Sequence, residues 1–335
     1  MHRVKTLTHT IKTIMRISVV IRTLNEARYL RDLLSGIGRQ LCEGHEVETV
    51  VIDSGSTDGT LTIANEFNCL VTHIRREDFS FGRSLNRGCE AASGDILVFI
   101  SGHCVPTDEQ WLRKLCAPIV EGAVDYSYGR QAGGSESRFS ECRIFEKYFP
   151  PVSRVPQIGF YCNNANAALS REAWARYRFD EELTGLEDMD LAKRLSAAGD
   201  RVGYVADACV YHFHHESWAQ VKRRFEREAL ALQKIMPQVH VSLTDLARYV
   251  ARSILHDWQQ ARRQSGASKL FGEIVRYRVA QYAGSFKGNH EHRKLSHAQK
   301  EIYFYPTNRH QTHEAIEIQS RRPIAYEGEQ RAGAR

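Results

Sequence analysis

The sequence lacks any long apolar run, and its cysteines form no paired motif. A membrane-spanning helix needs ~20 consecutive apolar residues, and no stretch of this 335-residue chain approaches that length. The eight cysteines are scattered without a Cys-x-x-Cys pair, which is typical of proteins kept in a reducing compartment. These absences exclude a disulfide scaffold. They predict a cytoplasmic protein that contacts a membrane only peripherally, at the inner face of the cytoplasmic membrane.

The charge is unevenly distributed. The chain carries a formal charge of +6, yet residues 219–335 hold 21 bases and 11 acids, whereas residues 1–218 hold 25 bases and 29 acids. A basic region attracts anionic lipid head groups, pyrophosphates or nucleic acid, or is a solvated helical surface. The acidic body would repel a phosphate chain, so nucleic acid is not an expected partner.

Hydrophobic patterning predicts an α/β protein with a helical extension. Short apolar runs predict strands at 17–21, 47–52, 70–74, 95–100, 201–205 and 209–212. Between the first four predicted strands, apolar residues recur at helical spacing. Such alternation of strands and helices is typical of a Rossmann-like, mostly parallel sheet flanked by helices. We expect a flexible leader, a catalytic α/β domain, a helical basic C-terminal extension and a disordered tail, at 1–15, 16–218, 219–313 and 314–335.

Polar side chains follow the first two predicted strands. Asn25 and Glu26 follow one, and Asp53, Ser54 and Asp58 follow the other. Ligands of open α/β sheets bind at the carboxyl ends of strands, so these positions favour a nucleotide. A capped turn explains Asp58, and Ser56 in the same loop, equally well. It explains Asp53 less well, because a carboxylate directly after apolar residues needs a partner.

Three acids lie within four residues at the start of a predicted helix. They are Glu187, Asp188 and Asp190. The helix dipole favours one acid at this position, but three exceed what a cap needs. Mutual repulsion raises the pKa of one of them, which suits general-base catalysis.

Three histidines follow predicted strands. His103 comes after residues 95–100, His212 ends residues 209–212, and His214 follows two residues later. Imidazoles from two strand ends can bind a divalent metal. A hydrogen-bonded structural role is the alternative for each of them.

In combination, four motifs resemble those of the family 2 glycosyltransferases, which have a GT-A fold. The motifs are Thr23-x-Asn25-Glu26, Asp53-Ser54-Gly55-Ser56-x-Asp58-Gly59-Thr60, Asn86-x-Gly88 and Glu187-Asp188. The resemblance spans about residues 17–235. Gly129-Arg130-Gln131 and Tyr211-His212 resemble bacterial rhamnosyltransferase-type enzymes of surface polysaccharide synthesis.

The resemblance implies inverting transfer of a sugar from a nucleotide-sugar donor to a hydroxyl of a saccharide or lipid-linked acceptor. Capsule, O-antigen or other surface polysaccharide biosynthesis is the implied setting. It implies Asp188 as the base, next to Glu187. The implied donor-binding residues are Thr23, Asn25, Glu26, Asp53, Ser54, Asp58, Arg83 and Asn86. The implied acceptor-binding residues are Gln131, Asn163, Asn164 and Asn166.

The sequence departs from the family pattern at two places. Arg22 stands where the family usually has proline, and Ser101-Gly102-His103 stands where it has an Asp-x-Asp metal motif. We expect His103, with His212 or His214, to hold Mn²⁺ or Mg²⁺, and histidine ligands favour manganese. Metal-independent transfer, with arginines neutralising the diphosphate, remains open. So does a catalytically degenerate nucleotide-sugar-binding protein.

Overall fold

A computed structural model describes residues 14–42, 44–263 and 267–290. Its centre is an eight-stranded sheet in the order β3-β2-β1-β4-β7-β6-β8-β5. The strands are β1 (Arg16–Thr23), β2 (Glu46–Asp53), β3 (Leu70–His73), β4 (Ile96–Ser101), β5 (Cys104–Pro106), β6 (Tyr126–Ala132), β7 (Asn166–Ser170) and β8 (Val202–His212). The helices are α1 (Ala27–Gly38), α2 (Thr60–Glu66), α3 (Phe81–Ala91), α4 (Trp111–Val120), α5 (Phe139–Tyr148), α6 (Arg171–Tyr177), α7 (Glu187–Ala197), α8 (Trp218–Ile235), α9 (Leu243–Ala261) and α10 (Ala267–His290).

The pairing of the strands aligns the ends that carry polar residues. Strand β1 lies parallel to β2 and β4, and β2 lies parallel to β3. Thr23 is opposite Asp53, and Arg22 is opposite Ser101. Strand β7 is antiparallel to both of its neighbours, and four of the seven pairings are parallel. The predicted α/β fold class is confirmed.

One prediction about the strands was wrong. We expected two strands at 201–205 and 209–212, and the structure has the single strand β8. Strand β6 pairs with both segments of β8, and its register shifts between Gly129 and Arg130. The extra residues 206–208 are accommodated by this bulge, which lets one strand replace two. Strand β5 was not predicted, because three residues are too short to produce a periodic pattern.

Both faces of the sheet are buried. Along β1, Val20 belongs to the core on one face, and Val19 and Ile21 belong to the core on the other. Successive side chains of a strand point to opposite faces, so a strand covered on both sides is apolar throughout. Burying each such side chain stabilises the fold by about 1.5–3 kcal/mol. The strand ends, rather than the faces, are therefore left for ligands.

The C-terminal extension packs as helices. Ser217 and Gln220 form a capping box at the start of α8. A Cβ at Gly284 would lie 2.2 Å from the carbonyl oxygen of Lys222, so this glycine permits close approach of α10 to α8. Helix α8 begins at the domain boundary expected from the sequence. The expected leader (apart from residues 14–15), the end of the extension and the tail lie outside the described residues. Within the described ranges, no helix combines the length and apolarity that crossing a bilayer requires.

Candidate active site

The loops that follow β1 and β2 are held together by hydrogen bonds. The backbone N–H of Asn25 donates to Ser56 Oγ at 2.9 Å, and that of Thr57 donates to Asn25 Oδ1 at 2.8 Å. Asn25 has a φ of 58°, a left-handed conformation that asparagine tolerates better than most residues. The N–H of Ala27 donates to Asp58 Oδ2. The two loops therefore form one structure, to which we refer as the strand-end loops.

Asp53 is the buried organiser of the second loop. Its carboxylate accepts hydrogen bonds from Thr23 Oγ1 at 3.1 Å and from the N–H groups of Gly55 and Ser56 at 2.9 Å each. Ser54 Oγ donates to the carbonyl of Thr23. The carboxylate thus has the partners that its position after a buried strand requires.

Hydrogen bonds also determine the pKa of Asp58. Burial acts to raise the pKa of Asp58, but hydrogen bonds from Thr60 and Ala27 outweigh it and lower that pKa. Asp58 is therefore an ionised carboxylate that fixes the start of α1 and α2. Its role in the loop is the turn-forming one that the sequence left open.

Arg83 and Asn86 lie on α3, where protein partners occupy them. The Asn86 amide donates to the Phe179 carbonyl at 2.9 Å and accepts from Trp174 Nε1 at 3.1 Å. Arg83 Nε donates to Glu181 Oε2 at 2.9 Å. Both side chains hold α3 to the segment that follows α6. The structure does not bring either of them together with the histidines or with Glu187 and Asp188.

The three predicted histidines form a compact cluster. The ring centroids of His212 and His214 are 4.1 Å apart, and those of His103 and His212 are 5.0 Å apart. One ligand atom from each of the three lies within 4.8 Å of the others. The sheet makes this possible, because β5 pairs His212 with Cys104, directly after His103.

Each histidine is oriented through its Nδ1 atom. His103 Nδ1 lies 2.9 Å from Glu26 Oε1, and His214 Nδ1 lies 2.7 Å from Glu141 Oε1. A Cβ at Gly102 would lie 2.7 Å from Glu26 Cγ, so this glycine leaves room for Glu26 to reach His103. Such carboxylate–histidine pairs are typical of metal sites, where they orient the ring and leave Nε2 for the ion.

His212 carries the most direct sign of a ligand. Gln131 Nε2 donates to Asn163, so Gln131 Oε1 accepts a hydrogen bond from the N–H at His212 Nδ1, at 2.7 Å. His212 Nε2 therefore holds a lone pair, and it is buried without a hydrogen-bond partner in the described part of the chain. Burial, His214 and His103 hold the pKa of His212 well below its usual value. A neutral imidazole with an unpaired buried nitrogen fits a divalent transition metal.

The predicted acid pair lies at the start of α7. Leu186, which precedes it, has a φ of 56°, and strain of this kind in a non-glycine residue is found more often at functional sites. Glu187 is 4% exposed and accepts a hydrogen bond from Arg22 at 3.2 Å. Asp188 is 6% exposed and accepts from the N–H of Asn164 at 2.8 Å.

The environment of Asp188 raises its pKa. Burial and the charge of Glu187 raise the pKa of Asp188 to about 7, against hydrogen bonds from Asn164 and Met189 and the charge of Arg22. Asp188 therefore exchanges a proton near neutral pH, as a general base should.

The predicted acceptor residues divide into two groups. Asn163 and Gln131 are hydrogen-bonded to each other and, through Gln131, to His212. Asn164 orients Asp188 and accepts from Tyr126. Asn166 is fully used by Trp111 and two backbone carbonyls. Gln131, Asn163 and Asn164 therefore link the histidines to the acids, whereas Asn166 anchors β7.

A cavity of about 1360 Å³ opens beside these groups. His103, His212 and His214 line it together with Arg22, and residues of α8, α9 and α10 line its other side. The strand-end loops adjoin it through the Glu26–His103 contact. The site is thus continuous with the C-terminal extension.

Sequence reasoning missed how Arg22 acts. It pairs with Glu187, and its guanidinium lies 4.7 Å from the ring centre of Phe81. The guanidinium of Arg227 lies 4.6 Å from the same ring. The one hint of a role for Arg22 in the sequence was that it stands where the family usually has proline. The part played by Glu141 and Arg227 had no signal, because both come from helices distant in sequence.

A solved structure shares this fold. The mannosyltransferase PcManGT from Pyrobaculum calidifontis, solved in complex with GDP-Man and Mn2+, matches with a TM-score of 0.53 and 18% identity over 81% of this chain and 73% of that chain. The fold is that of the GT-A glycosyltransferases. Residues 18–177 match the family described as Glycosyl transferase family 2. This match covers just under half of the chain, and it confirms the resemblance stated from the sequence.

Two curated relatives cover different shares of the chain. Glycosyltransferase AglE of Haloferax volcanii is 33% identical over 35% of this chain and 41% of its own length. O-antigen chain rhamnosyltransferase RfbN of Salmonella typhimurium is 24% identical over 60% of this chain and 67% of its own length. The chain thus spans less than half the length of the first. The family match ends before α7, so the acid pair and two of the histidines lie beyond it.

Proposed function

We propose that this protein is an inverting glycosyltransferase that moves a sugar from a nucleotide-sugar donor to a hydroxyl of a saccharide or lipid-linked acceptor. One observation carries the proposal. Asp188, with a pKa near 7, is oriented by Asn164, the direct chain neighbour of the cavity-lining Asn163. A base poised near neutrality, connected through Asn164, Asn163 and Gln131 to the histidine cluster, suits one-step displacement of a nucleoside diphosphate.

In this proposal Asp188 removes the proton from the acceptor hydroxyl. The backbone N–H groups of Asn164 and Met189 each donate to one carboxylate oxygen of Asp188, which fixes the orientation of the base. Glu187 pairs with Arg22, and the charge of Glu187 helps to raise the pKa of Asp188. The acceptor oxygen then attacks the sugar carbon as the bond to the diphosphate breaks.

We assign the donor nucleoside to the strand-end loops. Their backbone is fixed by Asp53 and Asp58 before any ligand arrives, and such preorganisation lowers the entropy lost on binding. Thr23, Asn25 and Glu26 complete this edge of the sheet.

We assign a divalent metal, preferably Mn²⁺, to the Nε2 atoms of His103, His212 and His214. When bound, such an ion stabilises the charge that develops on the leaving diphosphate. The histidine-rich donor set favours a transition metal over Mg²⁺. Although burial acts to lower the pKa of His103, the charge of Glu26 raises it above its usual value. Metal affinity is therefore expected to fall in mildly acidic solution, because protonated imidazole cannot bind the ion.

The biological setting is proposed from the relatives. RfbN is named as an O-antigen chain rhamnosyltransferase, which supports surface polysaccharide synthesis as the role of this protein. The basic residues 219–335 support peripheral contact with an anionic membrane, where each base near the surface contributes about 1 kcal/mol.

Arg22 is expected to set the pH range in which Asp188 acts as a base. The charge of Arg22 lowers the pKa of Asp188, and the base is active when ionised. Arg22→Gln should therefore move the rising limb of the rate–pH profile to higher pH, by about one unit. Arg22→Lys keeps the charge and should leave the limb near its wild-type position. Rate–pH profiles of the three proteins are the measurement, and identical limbs for Arg22→Gln and wild type would contradict this role.

The proposed function is tested by a donor screen. Isothermal calorimetry with UDP-, GDP-, CMP- and dTDP-sugars, each with Mn²⁺ and with EDTA, is expected to give one nucleotide sugar that binds and needs the metal. Binding that survives EDTA would retain the transferase and remove the metal. The absence of binding by every donor would count against the proposed function.

A further inference from the structure

The cavity beside the candidate active site is larger than one sugar and a nucleotide require. Its volume is about 1360 Å³, whereas sites for single small ligands measure ~300–1000 Å³. Residues of α9 and α10 line part of this cavity. We refer to this part, lined by Tyr249, Arg252, Ser253, Gln281, Tyr282 and Ser285, as the extension lobe.

The lining of the extension lobe is polar. Every lining residue that α9 and α10 contribute carries a hydrogen-bonding group. Apolar lining comes instead from α5, α8 and the segment after α8, through residues such as Phe225, Leu232 and Val239. A hydrocarbon chain would leave the polar groups of α9 and α10 without partners, at a cost for each. A ligand rich in hydroxyl groups would satisfy them.

Two tyrosines add ring faces to these polar groups. The ring centroids of Tyr249 and Tyr282 lie 5.9 Å apart with planes inclined by 32°, and Tyr282 is fixed by a 2.8 Å hydrogen bond to Ser253. Tyr249 is 38% exposed. A tyrosine offers large, rigid contact area at low entropic cost, with a hydroxyl at one end. Rings beside hydroxyl and amide groups suit a pyranose, which has both an apolar C–H face and a polar rim.

Arg252 supplies an available donor in the same lobe. It lies one turn after Tyr249 on the exposed side of α9. No acidic side chain of the described ranges forms an ion pair with it. Asp257, the acid nearest in sequence on α9, is buried in a bidentate pair with Arg278. The five donors of a guanidinium can therefore serve a ligand.

We propose that the extension lobe binds the distal sugars of an oligosaccharide acceptor, beyond the sugar whose hydroxyl reacts. This inference rests on the proposed function and names the acceptor class for the same site. The terminal sugar lies by Asn163 and Asp188, and the preceding one or two sugars lie against Tyr249 and Arg252. The C-terminal extension then selects acceptors by length.

Ligand-observed NMR tests the proposal without a donor. The probes are the methyl glycosides of rhamnose, mannose and glucose, and their homologous di- and trisaccharides. In at least one series, the trisaccharide should bind about tenfold more tightly than the monosaccharide. Tyr249→Ala and Arg252→Gln should remove most of that gain, while Tyr249→Phe, which keeps the ring, should retain it.

Leu255→Ala is the matched control. Leu255 lies on the same helix, is 56% exposed and does not line the cavity, so its loss should leave the length dependence unchanged. Affinity that does not increase with length in any series, or a gain that survives both lobe variants, would overturn the proposal. Nucleotide-sugar binding measured on the same samples separates this failure from failure of the proposed function, because neither lobe variant changes a residue of the strand-end loops.

Discussion

Asp188→Asn is expected to lower kcat by about 10²–10⁴-fold, the usual contribution of a general base, while leaving donor affinity unchanged. Asparagine keeps the size of the side chain and an acceptor oxygen for the N–H of Asn164, but it cannot take a proton. The loss therefore falls on the chemical step. Initial rates and calorimetric donor affinity of the variant and the wild type are the measurements.

Asp190→Asn provides a control within the same helical turn. Asp190 pairs with Arg194 at 2.8 Å and has no contact with Asn164, so its replacement should change kcat only slightly. For the wild type, kcat/KM should rise with pH through about 7 and then level off, since the base works in its ionised form and its pKa is about 7. Equal losses in the two variants, or a rate that falls as pH rises through 7, would argue against Asp188.

His212→Ala is expected to weaken Mn²⁺ binding by about 100-fold or more, since even loss of a group that supports a ligand costs 10–100-fold. Electron paramagnetic resonance of free Mn²⁺ measures this affinity without any turnover. His212 is the most buried of the three histidines, at 7% exposed, and its Nε2 is buried without a hydrogen-bond partner among the described residues. Activity should fall in parallel with metal affinity.

His215→Ala is the matched control for the metal site. His215 lies close in sequence but stacks on Tyr29 and pairs with Glu136, so its removal should leave Mn²⁺ affinity intact. EDTA treatment of the wild type should abolish activity, and Mn²⁺ should restore it. Wild-type affinity in His212→Ala, or full activity in EDTA, would favour the metal-independent alternative in which arginines neutralise the diphosphate.

Much of the fold could be predicted because its signals are local. Buried parallel strands are apolar throughout, so β1, β2 and β4 were evident, and the polar residues at their ends followed directly. Strand β8 was divided wrongly because a bulge is set by pairing with β6, and a periodic pattern does not report pairing. Strand β5 exists only because β8 lies beside it.

The candidate site was predictable in its residue types but not in its connections. The sequence suggested His103, His212 and His214, and the structure brings them together. The Nδ1 partners Glu26, Gln131 and Glu141 could not be foreseen, since hydrogen bonds between residues far apart in sequence leave no spacing signal. For Asn86 the motif predicted a role in donor binding. The structure shows that its side chain makes structural hydrogen bonds instead, which depend on the packing of α3.

The central claim is tested most directly by release of nucleoside diphosphate from the donor that binds. The account predicts that the wild-type protein with Mn²⁺ releases the diphosphate when an acceptor saccharide is added, and that Asp188→Asn binds the same donor without releasing it. A wild-type protein that binds the donor but releases no diphosphate with any acceptor, or equal release by both proteins, would contradict the account. The first of these results would instead indicate a nucleotide-sugar-binding protein that has lost catalysis.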